Sequence, residues 1–423
     1  MPDPTTARGA TAGGATPPAY AAPATAPGYG LAMQLEAYDP ARAPDEPLPY
    51  APEEWERRAR AALADGPFDY VAGGAGADDT IRANREAFRR RRLWPRMLRD
   101  VSRRDLAVEL LGTRLPAPVL LAPVGVLGIL HAHAERAPAR AAAAEGVPFV
   151  LSTVSSVPLE HVAQAMDEVR GDTTPAPRWF QLYPARDRDV MRSLLQRAER
   201  VGYSAIVLTL DTTMLGWREA DLRNRYLPFL QGQGLANYFS DPAFLRLLTR
   251  SPQEDPRAAV QEFLNVYVNP SFSWADVDAV RAATRLPLVV KGILHPDDAR
   301  MAADRGADAV VVSNHGGRQV DGAVAALDAL PAVVDAVGNR LPVLMDSGIR
   351  RGADVLKALA LGARAVLWGR PYAFALAARG EPGVRHALRC LLADLDLELA
   401  LSGRASVAEV DRTLLGPEGG SVF

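Results

Sequence analysis

Ala309-Val310-Val311-Val312-Ser313-Asn314-His315-Gly316-Gly317-Arg318-Gln319 changes character in its middle. The first part is a continuous apolar run without polar alternation, which reads as a strand covered on both faces. The second part is polar and glycine-rich, a turn that places an imidazole and a guanidinium on one small surface. A buried strand ending in reactive groups is the repeating unit of a parallel α/β barrel, where the carboxyl ends of the strands carry the chemistry.

Seven further runs of the same kind flank it: Val119 to Ala122, Pro148 to Leu151, Trp179 to Leu182, Ala205 to Leu210, Leu288 to Lys291, Val343 to Asp346 and Ala365 to Trp368. Helical patterning separates them, so the chain is expected to form a (β/α)8 TIM barrel rather than an open doubly wound sheet. The spacing is regular except after the fourth run. There about fifty residues, 218–273, intervene before the next helix. An insertion of that size is expected to be an active-site lid or a disordered segment. Ahead of the barrel, Glu53 to Ala64 and Asp78 to Arg92 read as helices, with Phe68 to Gly74 a turn-prone segment between them.

Residues 1–49 are rich in Ala, Pro, Thr and Gly and show no periodicity. They cannot bury enough apolar surface to offset ordering and are expected to form a mostly disordered tail, with local contacts near its end. The expected organisation is this tail, a barrel over 50–415 and a short tail over 416–423. The formal net charge is −2, and no basic stripe suggests a nucleic-acid partner. The apolar stretch Ala117 to Leu130 is broken by Pro118, Pro123, Gly125 and Gly128 and falls short of the ~18 residues of a membrane span. The sequence contains one cysteine, Cys390, so no intrachain disulfide framework exists, and a reducing cytoplasm fits. No metal site is expected. Of 48 basic residues only Lys291 and Lys357 are lysine, which hints that each sits where a compact ammonium is needed.

Reading only the carboxyl ends of the runs collects polar and ionisable groups that packing does not require. His315 can move a proton near neutral pH and Arg318 can hold a carboxylate through two hydrogen bonds, which suits chemistry at a carbon beside a carboxylate. Asp211 can orient the imidazole, or can cap a following helix. Lys291, ending a buried strand, needs an anion or an acceptor. Gly348 with Arg350 and Gly369 with Arg370 stand where barrels frequently bind phosphate.

With these residues in view, the sequence resembles the FMN-dependent L-2-hydroxy acid oxidising enzymes, the family of glycolate oxidase, lactate oxidase, lactate 2-monooxygenase and mandelate dehydrogenase. The resemblance runs from about Glu53 to Ser406. It rests on Ser313 to Gln319 together with Gln181-Leu182-Tyr183, Thr209-Leu210-Asp211, Lys291-Gly292 and Gly369-Arg370-Pro371, in the family's order. It implies FMN as cofactor, a small 2-hydroxy acid and O2 as reactants, and a homotetramer or homo-octamer. His315 is implied as catalytic base, Asp211 as its partner, and Tyr183 as a catalytic and substrate-binding phenol. Arg318 and Arg218, with Tyr70, are implied to hold the substrate carboxylate. Pro123, Val124, Gly125, Ser152, Gln181, Thr209 and Ser313 are implied to line the flavin ring and Lys291 to lie beside its N1. Asp346 is implied at the ribityl chain, and Gly348, Arg350, Gly369 and Arg370 at the phosphate.

Within the family the chain looks most like lactate 2-monooxygenase, through Asp69 to Gly76, Leu215-Gly216-Trp217-Arg218, Gly322 to Leu327 and the insertion around Gly234 to Phe239. Gly125 stands where many of the oxidases have Ala, Thr213 where Pro is common and Ser347 where Gly is common. An oxidase releasing keto acid and H2O2, or an enzyme for a bulkier, mandelate-like acid, remains an alternative. A different phosphate-binding barrel would not need Tyr183, Asp211, His315 and Arg318 together. A non-catalytic flavin binder would be expected to have lost His315 or Arg318.

Overall fold

The computed structural model describes residues 28–42, 46–171 and 176–417. Eight parallel strands close into a barrel: β1 (Val119–Leu121), β2 (Phe149–Leu151), β3 (Arg178–Leu182), β4 (Ala205–Thr209), β5 (Leu288–Ile293), β6 (Ala309–Val312), β7 (Val343–Met345) and β8 (Ala365–Trp368). Each pairs with the next, and β8 closes on β1 with Val366 opposite Val119. All eight runs read from the sequence are therefore strands of the (β/α)8 barrel.

The alternation hidden in those runs appears in the packing. Leu120, Val150, Val207, Val289, Val311 and Leu344 point into the barrel, whereas Leu121, Leu151, Leu208, Val290, Val310 and Val312 pack against the surrounding helices. Both faces are apolar because both are dry, which is why no polar alternation marks the strands. A hairpin (Val108–Leu110 with Thr113–Leu115) sends Val108, Leu110 and Leu115 into the inner core.

One expectation changes and two are sharpened. Phe68 to Gly74 is not a turn: Asp65–Ala72 is a helix, with Gly66 and Pro67 in its first turn, where a missing N–H does no harm. Its Phe68 stacks on Phe374 of the last barrel helix at 5.9 Å. The segment expected to be mostly disordered contains a helix, Tyr29–Tyr38, that buries Met33 and docks through Gly30 N–H to Asp396 (2.8 Å). Composition averaged over 49 residues hides one short anchored helix; residues 1–27, 43–45 and 418–423 of the two tails lie outside the described residues. The insertion is folded, with Ala236–Phe239, Pro242–Leu245 and Pro256–Tyr267 helical. Phe229, Tyr238, Phe244, Phe263 and Tyr267 form its buried aromatic core, with Tyr238 and Phe263 rings 4.9 Å apart. No helix among the described residues is long and apolar enough to cross a membrane.

Candidate active site

The carboxyl ends of the strands surround one cleft of about 970 Å³, open mouth included, and fourteen of the residues named from the sequence line it: Tyr70, Pro123, Val124, Gly125, Tyr183, Arg218, Lys291, His315, Arg318, Asp346, Gly348, Arg350, Gly369 and Arg370. Ser152, Gln181, Thr209 and Ser313 are buried beneath it at the barrel mouth, and Asp211 stands behind His315.

His315 follows β6 in a left-handed conformation (φ 57°) and hydrogen-bonds through Nδ1 to Asp211 Oδ1 at 2.8 Å. Asp211 therefore orients the imidazole and caps no helix. Thr212 Oγ1 lies 3.0 Å from the same carboxylate oxygen and 3.2 Å from Nδ1, so it holds both partners in plane. Burial holds His315 below the ordinary value of 6.5 against the pull of Asp211, leaving the ring neutral. Burial opposes ionisation of Asp211, but His315 and Lys291 outweigh it and hold the carboxyl below the usual range. A neutral imidazole whose Nδ1 is committed to a carboxylate can accept a proton at Nε2. The position behind it demands glycine: a Cβ on Gly292 (φ 101°) would come within 2.8 Å of Asp211 Cβ.

Across the cleft Tyr183 faces His315 with the rings nearly stacked, 6.5 Å apart, and burial pushes its phenol well above the ordinary range. Arg318 donates to the carbonyls of Tyr70 and Gly73 and lies 5.0 Å over the Tyr70 ring. Burial and the neighbouring Arg218 lower Arg318 to about 10. Arg218 donates to Arg318 O and Gln319 Oε1, each at 3.2 Å. Two guanidiniums with spare donors beside a neutral base can seat a carboxylate and present the adjoining carbon to that base.

The other end of the cleft is built for an anion. Burial, with Arg85 nearby, lowers Arg350 to about 10. Burial, with Arg318 and Arg350 nearby, lowers Arg370 to about 9. Arg370 is held by the carbonyls of Val71, Gly316 and Gly73 at 2.8–3.0 Å. Charges disfavoured by burial and by one another are relieved by a bound polyanion. Between the two ends lie buried groups without partners: Gln181 Nε2 and Thr209 Oγ1 make no hydrogen bond. Beside Thr209, in register across β4 and β5, Lys291 donates to Ser313 Oγ (2.9 Å) and pairs with Asp346 (3.1 Å). Burial works against the Lys291 charge, but Asp346 and Asp211 outweigh it and raise its pKa. Orphaned amide and hydroxyl groups, a fixed ammonium and an arginine cradle fit a polar-edged flavin ring with a phosphate tail. Gly125 belongs to the same surface: a methyl there would approach Val154 Cγ2 to 2.5 Å, so Gly125 and Val154 fit as a pair.

Several residues of the site carry no local sequence signal. Asn84 and Asn314 exchange side-chain hydrogen bonds of 2.9 and 2.8 Å across 230 positions, locking the His315 turn to helix Asp79–Arg90. Glu135, fully buried, accepts from Leu127 and Ser156 N–H at 3.0 Å each and clasps the loops after β1 and β2. Asn237 of the insertion donates to Thr153 O (2.9 Å) and accepts from Leu159 N–H (2.8 Å). Phe229 and Tyr267 bring the insertion into the cleft wall. Only Thr212 was within reach of sequence reasoning, as the hydroxyl neighbour of Asp211.

The comparisons with known proteins agree with this geometry. A family described as FMN-dependent dehydrogenase matches residues 59–417. An L-lactate oxidase of Lysinibacillus sphaericus (strain C3-41) is 42% identical over 85% of this chain and 91% of its own length. A peroxisomal (S)-2-hydroxy-acid oxidase of Oryza sativa subsp. japonica is 41% identical, covering 89% of this chain and 98% of that protein. The crystal structure of a mandelate oxidase superposes with a TM-score of 0.76 at 40% identity, over 87% of this chain and 98% of that one.

Proposed function

This chain belongs to the FMN-dependent dehydrogenase family, and on that premise we propose that it oxidises a small L-2-hydroxy acid at the expense of O2 and retains the keto acid until it is decarboxylated. With L-lactate the overall reaction is lactate + O2 → acetate + CO2 + H2O, the outcome of the lactate 2-monooxygenase that the sequence resembles. The observation that carries the oxidation is the neutral His315, fixed by Asp211 at 2.8 Å, facing the same cleft as Arg318 and Arg218.

Arg318 and Arg218 bind the substrate carboxylate, with Tyr70 packed beneath both guanidiniums at 5.0 and 5.9 Å. Tyr183 hydrogen-bonds the substrate oxygen at C2. His315 Nε2 takes up the proton released as the substrate is oxidised, and Asp211 stabilises the imidazolium that results. Gln181, Thr209 and Lys291, with the backbone from Pro123 to Gly125, would hold the FMN ring, and Arg350 and Arg370 its phosphate. Bound there, FMN would supply a two-electron acceptor for the substrate that oxygen can reoxidise. Lys291 would keep a positive charge toward the ring, with Asp346 as its counter-ion.

Retention of the keto acid is supported by the insertion. It is folded, contributes Phe229 and Tyr267 to the cleft wall, and is bolted to the loop after β2 through Asn237. A cleft walled by packed aromatics on this side would help keep water out and product in. The test is product analysis of the FMN-loaded protein turning over L-lactate in air. Acetate in step with oxygen consumed, and little peroxide, is expected. Pyruvate matched by peroxide would reduce the reading to a simple oxidase. Turnover of mandelate in place of lactate would move the substrate to bulkier acids.

A further inference from the structure

Ser347 occupies a backbone position that favours glycine, with φ at 74°, a conformation that residues with a Cβ rarely hold. Its hydroxyl is fully engaged. It donates to Asp346 Oδ1 at 2.7 Å and accepts from the N–H of Gly316 at 3.0 Å and of Asn314 at 3.3 Å. One donor and two acceptors are the whole capacity of a hydroxyl. The other oxygen of Asp346 lies 3.1 Å from Lys291 Nζ, which donates to Ser313 Oγ at 2.9 Å. Ser313 Oγ in turn accepts from His315 N–H at 3.0 Å. The bonds close a ring: from the loop after β7, through the Lys291 ion pair, to the turn that carries His315, and back. Ser347, Asp346, Lys291 and Ser313 are all buried, so water offers little substitute for a lost member.

We propose that Ser347 is a positioning residue that ties the His315 turn to the counter-ion of Lys291 and so sets how much of the lysine's charge reaches the flavin. The inference rests on the site reading given under Proposed function. The short bond from Ser347 to Asp346 is charge-assisted and draws the carboxylate's negative charge toward Oδ1, away from Lys291. Without the hydroxyl, Asp346 turns its charge more fully onto Lys291, and the N–H groups of Asn314 and Gly316 lose their acceptor. The reduced, more negative flavin is then less well stabilised.

Two variants of the full-length, FMN-loaded protein separate the hydroxyl from the backbone. Ser347→Gly removes the hydroxyl and relaxes the φ; Ser347→Ala removes the hydroxyl and keeps the φ. If the hydroxyl positions Asp346, both variants shift the midpoint potential of the bound flavin negative by about 30 mV, a tenfold change in a two-electron equilibrium, and kcat falls while KM changes little. If Ser347 only fills the turn, both variants keep the wild-type potential, and Ser347→Gly gains thermal stability as the left-handed strain is relieved. A Ser347→Gly holoprotein with wild-type potential overturns the proposal. Failure of the functional reading is a separate result: no L-2-hydroxy acid reduces the wild-type flavin, while the potentials of the three proteins can still be compared.

Discussion

The turn after β6 and the insertion after β4 both form walls of the same cleft, but they are held in opposite ways. The turn spans seven residues, Ser313 to Gln319, and is tied on every side. Asn314 is paired with Asn84, the N–H of His315 with Ser313, the N–H of Gly316 with Ser347, and the imidazole with Asp211. The insertion is eight times longer, and its buried polar ties lie toward its middle. Asn237 and Asp241 are fully buried there, and Arg197 bonds Asn237 O at 2.7 Å and Asp241 at 3.0 Å. The insertion's first residue, Arg218, is bonded to the turn itself through Arg318 O and Gln319, and just ahead of it the side chains of Met214, Leu215 and Trp217 are exposed, Trp217 by 71%. His315 and Arg318 sit on the short, over-determined turn; the insertion combines a buried, hydrogen-bonded middle with exposed side chains at its edge.

The largest effect is expected where the rigid side is broken. His315→Gln keeps size and polarity but cannot take a proton, so the rate of flavin reduction by substrate should fall by about 10²–10⁴-fold with FMN still bound. Stopped-flow absorbance on the holoprotein reads this directly. A rate within a few-fold of wild type would place proton uptake elsewhere.

The pH profile sharpens the same side. Burial lowers His315 below 6.5, so its neutral form persists as pH falls through that value. The acid limb of kcat/KM, which reports the free enzyme, is therefore expected below 6.5. A limb above 6.5 would mean that Asp211 outweighs burial. The sign for stability follows from the same shift. Below 6.5 the unfolded chain binds a proton that the folded ring refuses, so His315 costs stability as pH drops toward its lowered folded value and costs none above 6.5.

Smaller effects belong to the insertion. Asn237→Ala leaves Leu159 N–H and Thr153 O without partners and should lower stability by about 1–3 kcal/mol in thermal or urea unfolding. It should also raise the share of peroxide released per turnover, because the middle of the insertion loosens. Trp217→Ala, at the exposed edge, should change stability by no more than about 0.5 kcal/mol and alter substrate KM instead. If Trp217→Ala destabilised more than Asn237→Ala, the contrast between buried middle and exposed edge would be wrong.

The same contrast explains what the sequence disclosed. The strands were legible because each is dry on both faces, and His315, Arg318 and Asp211 were legible because their side chains have no packing reason to end buried strands. The helix over Asp65–Ala72 was missed because the segment read as turn-prone, Phe68 to Gly74, ends in the glycine pair that stops the helix. The clamps were hidden because their partners are remote. Asn84 reaches Asn314, and Asn237 reaches residues about 80 positions earlier, so no local pattern marks either one. Ser347 announced itself only as a departure from glycine; the three bonds that account for it needed the fold.

Anaerobic mixing of the FMN-loaded protein with each enantiomer of lactate, followed by flavin absorbance, tests the assignment of 2-hydroxy acid oxidation without involving oxygen or product release. Rapid bleaching by L-lactate and none by D-lactate is expected from a cleft that fixes the carboxylate on Arg318 and Arg218 and the proton acceptor at His315. A fully loaded flavin that stays oxidised with L-lactate, glycolate and L-mandelate alike would contradict it.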